Sequence, residues 1–350
     1  MKKKITVRYY NDSDCAIWDE YIMRHPEGTF FHLSAWKEMV ERSFGHKSYY
    51  LIAEEEKGIS REIVGLFPLV TIKSILFGKS VVSLPFATYG GILADNEDGE
   101  QALYEKGIAL TKEQNLDYME IRNETRPLPD LPGKDLYFVF KKEISGDNEE
   151  NMKAIPKKAR RMIRQGIKHK VEPRFGGVEL LDPFYEMFAF NYHRLGTPVF
   201  SKKYLRNMLE TFKDKSSVLI IFKDGQPLAG VISFYFQDQV IPYYSGAYPD
   251  ARKYAANDYL YWALMSDSAD KGYRVFDFGR SKKDTGSFHF KRHWGFEPRL
   301  LHYQYYLNNL EEVPNISPAN PKYKRRIELW QKLPIWATKI IGPAIVKYIP

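Results

Sequence analysis

Seven basic side chains crowd the stretch FDFGRSKKDTGSFHFKRHWGFEP, residues 276–298: Arg280, Lys282, Lys283, His289, Lys291, Arg292 and His293. So many cations among glycines and aromatics suit an anionic ligand. The stretch begins as a strand. Val275 and Asp277 alternate with Phe276 and Phe278, so Asp277 faces away from the phenylalanines. Gly279 and Gly286 permit sharp turns, and Ser287 is placed to cap a short helix carrying Phe288 to Trp294. Arg280, Lys282 and Lys291 then converge beyond the carboxyl end of the strand. Phe290 and Trp294 read as packing residues and Lys291 does not, which makes Lys291 the first candidate for chemistry.

A second basic feature is KAIPKKARRMIRQGIKHK, with no acid from Lys153 to Lys170. A helix after Pro156 places Lys157, Arg161, Arg164 and Lys168 on one face. Ala159, Met162, Ile163 and Ile167 make the expected apolar side. A like-charged face repels itself, so the reading is a phosphate-binding ridge, with a solvated face as the alternative. Downstream, GAYPDARKYAAND stands where an acetyltransferase would carry paired glycines against the pyrophosphate of coenzyme A, and those glycines are missing. The DFG triplet lacks the glycine-rich and HRD loops of a protein kinase. His289 and His293 are four apart but lie in no metal-ligand pattern.

Composition narrows the class. The chain has 350 residues, a net charge of +8, one cysteine and 15% aromatics; its pI is about 9.1. Cys15 alone excludes an internal disulfide and a multi-cysteine zinc site. The lysines of MKKKITVRYY are not followed by the apolar run of a signal peptide, and nowhere do some 20 apolar residues run uninterrupted. A cytoplasmic protein is expected, in peripheral contact with the inner membrane through its tail. That tail, KYKRRIELWQKLPIWATKIIGPAIVKYIP, is basic and aromatic first and apolar later.

The elements that must carry these residues occur twice. Helical periodicity in AIWDEYIMRH and SAWKEMVERSF precedes strands SYYLIAEEE, EIVGLFPLVTIK and SVVSLPF, a helix, and the strand DYMEIRN; LYFVFKKE closes the unit. The second half repeats the order through a hairpin turning at Asp224-Gly225, the strand QVIPYYSGAY, a helix and RVFDFG, with LLHYQYYL closing it. Gly65 corresponds to Gly230, and Ile121 to Phe278. Two copies of one mixed-sheet α/β unit are therefore expected, over 1–145 and 150–308, with an amphipathic tail over 320–350.

KKARRMIRQG, GQPLAGVISFYF, YYSGAY, ANDYLYWALM, FDFGRSKKDTG and FHFKRHWGFEP together resemble the FemABX family of aminoacyltransferases, and within it the FemAB-related proteins of PEP-CTERM/exosortase and exopolysaccharide systems. GTFFHLSAWKEMV, with Trp36, looks like the family's first-domain helix entry. The resemblance implies two GNAT-like domains. It implies transfer of an amino acid from aminoacyl-tRNA to the peptide of a peptidoglycan precursor, so an anionic envelope precursor and tRNA are the expected partners. Its phenylalanine-lysine pair falls at Phe290-Lys291, and its phosphate-holding basic residues at Arg160, Arg161 and Arg280. No resident cofactor is implied. No paired heptads supply the arm with which some members grip tRNA, which leaves an acyl thioester open as donor.

In acyl transfer an amine attacks a carbonyl and negative charge builds on its oxygen. Lys291 is the expected stabiliser. A backbone amide at a bulge beside Pro242 is the second, Asp277 the candidate base, and Tyr244 the candidate acid toward the leaving oxygen. Lys157, Arg164, Lys282, Tyr243 and Trp36 complete the expected substrate contacts. A coenzyme A-dependent N-acyltransferase acting on an amino sugar is the rival enzyme, and a non-catalytic RNA- or phosphate-binding protein the rival of another class.

Overall fold

The computed structural model describes residues 4–75, 77–314 and 324–349. Its elements follow in chain order. The first group is β1 (Ile5–Tyr9), α1 (Cys15–Arg24), α2 (Ser34–Phe44), β2 (Lys47–Lys57), β3 (Ser60–Ser74), β4 (Gly78–Ser83), β5 (Leu93–Ala94), α3 (Glu97–Glu113), β6 (Tyr118–Asn123) and β7 (Gly133–Lys134). Then come β8 (Tyr137–Glu143), α4 (Asn148–Ala154), α5 (Lys157–Lys168), β9 (Glu172–Gly176), α6 (Leu181–Arg194), α7 (Lys202–Thr211), β10 (Ser216–Lys223), β11 (Gln226–Phe236) and β12 (Gln239–Ala247). The last are α8 (Ala256–Asp270), β13 (Val275–Lys282), α9 (Gly286–His293), β14 (Pro298–Leu300), β15 (His302–Leu307), α10 (Lys324–Lys332) and α11 (Ile335–Val346).

Contacts divide the chain into two units. One is Met1–Tyr137 with Leu300–Ile316 and Tyr348–Pro350; the other is Phe138–Arg299 with Ser317–Lys347. The first holds a sheet of order β1-β2-β3-β4-β6-β15-β7, with β5 on β3; the second holds β14-β8-β13-β12-β11-β10-β9. In each, four antiparallel strands are followed by one parallel neighbour reached through a helix, β4 to β6 through α3 and β12 to β13 through α8. The chain is thus a tandem of two GNAT-like α/β units, as the repeated order of elements predicts.

One exchange was not expected. The pattern predicts that residues 136–143 close the first unit and 300–307 the second. Instead β8 lies beside β13, and β15 pairs with β6 from His302↔Asn123 to Leu307↔Tyr118. Boundaries at 145 and 308 therefore move. Both segments are short and aromatic, and a period-2 pattern specifies that a strand forms without specifying which edge it joins.

In the second unit, alternation along β11 assigns the two faces. Ala229 and Val231 turn to a core shared with Leu260 and Leu264 of α8 and Ile163 of α5. Gly230 between them faces Met187 and Phe184 of α6, so α6 and α8 cover opposite sides of the sheet. The hairpin turns at Asp224 and Gly225, both at positive φ (50° and 76°), which suits a two-residue turn joining right-twisted strands.

The tail forms two helices. Pro334 breaks it, and α10 and α11 both pack on α6. Residues 320–323 lie outside the described residues. Among the described residues no helix is long and apolar enough to cross a membrane.

Candidate functional site

β12 and β13 pair for only two residues, Gln239↔Val275 and Val240↔Phe276, and then separate. The wedge holds a cavity of about 270 Å³. Asn191 and Arg194 reach it from the end of α6, and Ser245 and Gly246 from β12. Arg252 comes from the loop before α8, Asn257 and Tyr261 from α8, and Ser287 and Phe290 from α9. Gly246 is required here: a Cβ would stand 2.8 Å from the backbone of Phe188, where α6 crosses the strand. Gly246→Ala is expected to push α6 off the sheet and destabilise the second unit by about 1–3 kcal/mol. Thermal unfolding measures this, and an unchanged midpoint would show that the helix shifts freely.

The first unit closes the same place. Beyond β4, residues 84–93 are all buried, and Gly90 N–H donates to Arg122 O of β6 at 2.9 Å. Leu84 and Phe86 take positive φ (47° and 65°) to make this turn, a strain that branched and bulky residues seldom accept. Of the two units, the second has the open wedge.

Of the expected site residues, Phe290 lines the cavity. Its neighbour Lys291 turns to β13 instead. The Lys291 Nζ donates to Gly279 O at 3.1 Å and Arg280 O at 3.0 Å, between the rings of Phe140 and Phe278 at 5.4 and 5.9 Å. It is 8% exposed. Burial pushes its pKa down to about 7; the charge of Asp277 opposes this and that of Arg280 adds to it. Gly279 sits at φ 66°, where a side chain would be strained. Asp277 is fully buried and holds the same turn from the other side: its Oδ1 accepts from Gly279 N–H at 2.8 Å, and its Oδ2 lies 3.4 Å from Lys141 Nζ. Asp277 and Lys291 thus clamp one kink of β13. The cap of α9 is Thr285, which accepts from Phe288 N–H, rather than Ser287; Ser287 is left to face the cavity. Trp294 is fully buried and donates to Asp258 Oδ1 at 3.2 Å.

A tyrosine cluster lies along β12. Tyr244 is 4.3 Å from Tyr243 and 5.4 Å from Phe188 between ring centres, and its hydroxyl is 3.5 Å from that of Tyr204. Burial raises the Tyr244 pKa well above the ordinary 10, so the hydroxyl keeps its proton. Burial raises the Tyr192 pKa, and the positive charge of Arg280 opposes the rise. The β11–β12 register jumps between Ile232↔Tyr244 and Ser233↔Pro242, leaving Tyr243 at the bulge expected beside Pro242. Lys282 ends β13, half-buried.

The ridge forms on α5. Lys157, Arg161, Arg164 and Lys168 are exposed, with Arg160 half-buried. Among the described residues none of the five has a carboxylate partner. The inward side is Ala159, Ile163 and Gly166; Ile167, expected inward, is 50% exposed. Gly166 allows the helix to meet Tyr259 of α8, and His169 packs edge-on to Tyr254 in the loop that carries Arg252. The ridge therefore leads toward the loop at the cavity. Trp36 belongs to the first unit, where it is fully buried among Phe30 and Phe31.

Arg194 and Arg252 were missed. Arg194 belongs to YHRLG, which carries no motif, and Arg252 to a loop noted only for its missing glycines. The signal available was position: two arginines flanking the strand whose partner departs.

No curated protein matches the chain. Three solved structures share its architecture. FemX is 13% identical, with a TM-score of 0.66 over 92% of this chain and 100% of that one. The C-terminal domain of a protein named as a lysylphosphatidylglycerol synthetase from Agrobacterium fabrum is 13% identical, at 0.55 over 85% and 92%. A tandem GNAT protein from the clavulanic acid biosynthesis pathway is 11% identical, at 0.53 over 86% and 97%. Residues 153–292, from the ridge to α9, match the family described as Acetyltransferase (GNAT) domain, and so the second unit carries an acyltransferase domain of GNAT fold.

Proposed function

We propose that the chain transfers an acyl or aminoacyl group to an amine of an anionic cell-envelope precursor, a peptidoglycan peptide or an exopolysaccharide-linked acceptor. The observation that carries this reading is the wedge between β12 and β13, open in the second unit, with Arg194 and Arg252 at its edge. Arginines in that position hold the phosphates of a donor such as aminoacyl-tRNA or an acyl thioester. The donor's carbonyl then lies toward β12. The amine attacks it as the free base, the bulge at Tyr243 and Arg280 stabilise the oxygen, and the bond from the carbonyl carbon to the donor's oxygen or sulfur breaks as the nitrogen gives its proton to water; the Tyr244 hydroxyl passes a proton to the leaving group and is reprotonated from solvent. The kink clamped by Asp277 and Lys291 fixes where Arg280 and Phe290 stand. A cytoplasmic location fits such donors. The match to an acetyltransferase domain over the same wedge favours one second reading, a coenzyme A-dependent N-acyltransferase acting on an amino sugar.

Supplying the purified chain with labelled aminoacyl-tRNA or acetyl-coenzyme A, each with nucleotide-linked muropeptide or amino-sugar acceptors, separates the two. Label reaching a muropeptide amine from tRNA supports the first reading. Transfer confined to coenzyme A and an amino sugar selects the second, and no transfer in any pairing sinks both. Replacing Lys157, Arg161 and Arg164 together by Gln is expected to weaken donor binding about tenfold at low salt, because exposed charges act within a Debye length of about 8 Å at physiological ionic strength. The deficit should shrink as salt rises; equal affinities across the salt series would make the ridge a solvated face.

A further inference from the structure

The two tail helices are fixed to the second unit by one side and leave an apolar stripe on the other. In α11 the buried residues are small or short: Ala337, Thr338, Gly342 and Val346. A Cβ on Gly342 would stand 2.9 Å from the backbone of Val199, so the helix lies as close to the body as a helix can. Its one charged side chain, Lys339, is satisfied by both carboxylate oxygens of Glu186 on α6 at 2.8 and 2.7 Å. In α10, Gln331 Nε2 donates to Arg194 O at 2.8 Å, and the His193 Nε2 lies 2.8 Å from Leu333 O at the break.

The opposite side is the unusual one. Trp336 is 66% exposed and Ile340 70%, one helical turn apart, with Ile341 at 44% beside them and Leu329 of α10 at 64%. A helix apolar all round is normally covered all round, and clustered exposed apolar side chains mark an interaction surface. The cations say what kind. Residues 324–349 contain Lys324, Arg325, Arg326, Lys332, Lys339 and Lys347 against a single acid, Glu328. Lys324, Arg325, Arg326 and Lys332 are exposed and have no carboxylate partner among the described residues. A second copy of this surface would set cation against cation. An apolar stripe with tryptophan, flanked by unpaired cations, fits the headgroup boundary of an anionic bilayer. At 12 residues, or about 18 Å, α11 is too short to cross the hydrocarbon and is suited to lie in its surface.

We infer that α10 and α11 form a rigid, interfacial docking face for an anionic phospholipid membrane. The test is co-sedimentation of the full chain, without substrates, with vesicles of phosphatidylglycerol and phosphatidylcholine (1:1) or of phosphatidylcholine alone, so it stands or falls separately from acyl transfer. Wild type should bind the anionic vesicles at least tenfold more tightly. Trp336→Ser with Ile340→Ser should lose about tenfold or more on anionic vesicles. Arg325→Gln with Arg326→Gln should lose the preference for anionic lipid. Both pairs are solvent-exposed, so thermal midpoints should hold. Equal binding by wild type and the serine variant would overturn the inference. So would light scattering that shows a wild-type dimer made monomeric by the serine pair, because the stripe would then belong to a second copy.

Discussion

Lys291→Met should lower turnover about a hundredfold, the scale for losing one polar group that organises a transition state, while leaving the fold largely intact. Methionine keeps the stem between Phe140 and Phe278 and removes the donor. Two buried carbonyls, Gly279 O and Arg280 O, then lose their partner, at a cost of about 1–3 kcal/mol. The kink at Gly279 loses its clamp from the α9 side, and Arg280 and Phe290 lose their fixed positions. Lys291→Arg should not restore the rate, because a planar fork cannot replace a compact ammonium in a niche walled by two rings. A full rate for Lys291→Met, measured with the true donor and acceptor or by cellular complementation, would make Lys291 a packing residue.

A pH signature accompanies this variant and separates it from loss of packing alone. In the unfolded chain the ammonium keeps its ordinary pKa of 10.5, whereas burial lowers it to about 7 in the fold. Between those values the unfolded state binds more protons, so this side chain makes stability rise with pH from about 7 to 10.5. Below pH 7 both states hold the ammonium and its desolvation penalty is fully present. Lys291→Met lacks the titration. Its stability relative to wild type should therefore improve as pH falls from 10 to 7, and parallel curves over that range would mean the lysine titrates normally.

The sequence carried the unit and missed the edge. Gly65 and Gly230 lie in equivalent strands, β3 and β11, and YMEIRN and VFDFGR form the equivalent strands β6 and β13, because buried strands impose similar patterns wherever they recur. The exchange of β8 and β15 left no local trace, since either aromatic strand satisfies either edge. The bulge at Tyr243 was readable because Pro242 has no N–H to give to a ladder. The direction of Lys291 was not readable: residues 290 and 291 are adjacent on a helix and point about 100° apart, so the side chain facing the cavity depends on how α9 is rotated. That rotation is set by Phe288 against Phe138 and Phe140 and by Trp294 against Asp258, contacts made across the fold.

Arg194→Gln combined with Arg252→Gln should raise the dissociation constant of the phosphate-bearing donor by about 30- to 100-fold, since each charged hydrogen bond lost is worth about 1.5–3 kcal/mol, less where the group is partly solvated. Both side chains are exposed. Arg194 touches Asn191 Oδ1 at 3.2 Å, and only its backbone oxygen serves α10, so the fold should survive. Turnover at saturating donor should change little, because these groups bind the donor equally before and during the reaction. That split distinguishes them from Lys291, whose loss should appear in turnover. It also distinguishes them from the α5 ridge: a donor seated in the wedge covers these two arginines and excludes solvent from the contact, so the double variant should keep more of its deficit at high salt than the ridge variant. Unchanged donor affinity in the double variant would place the donor's anion elsewhere and remove the wedge between β12 and β13 as its binding site.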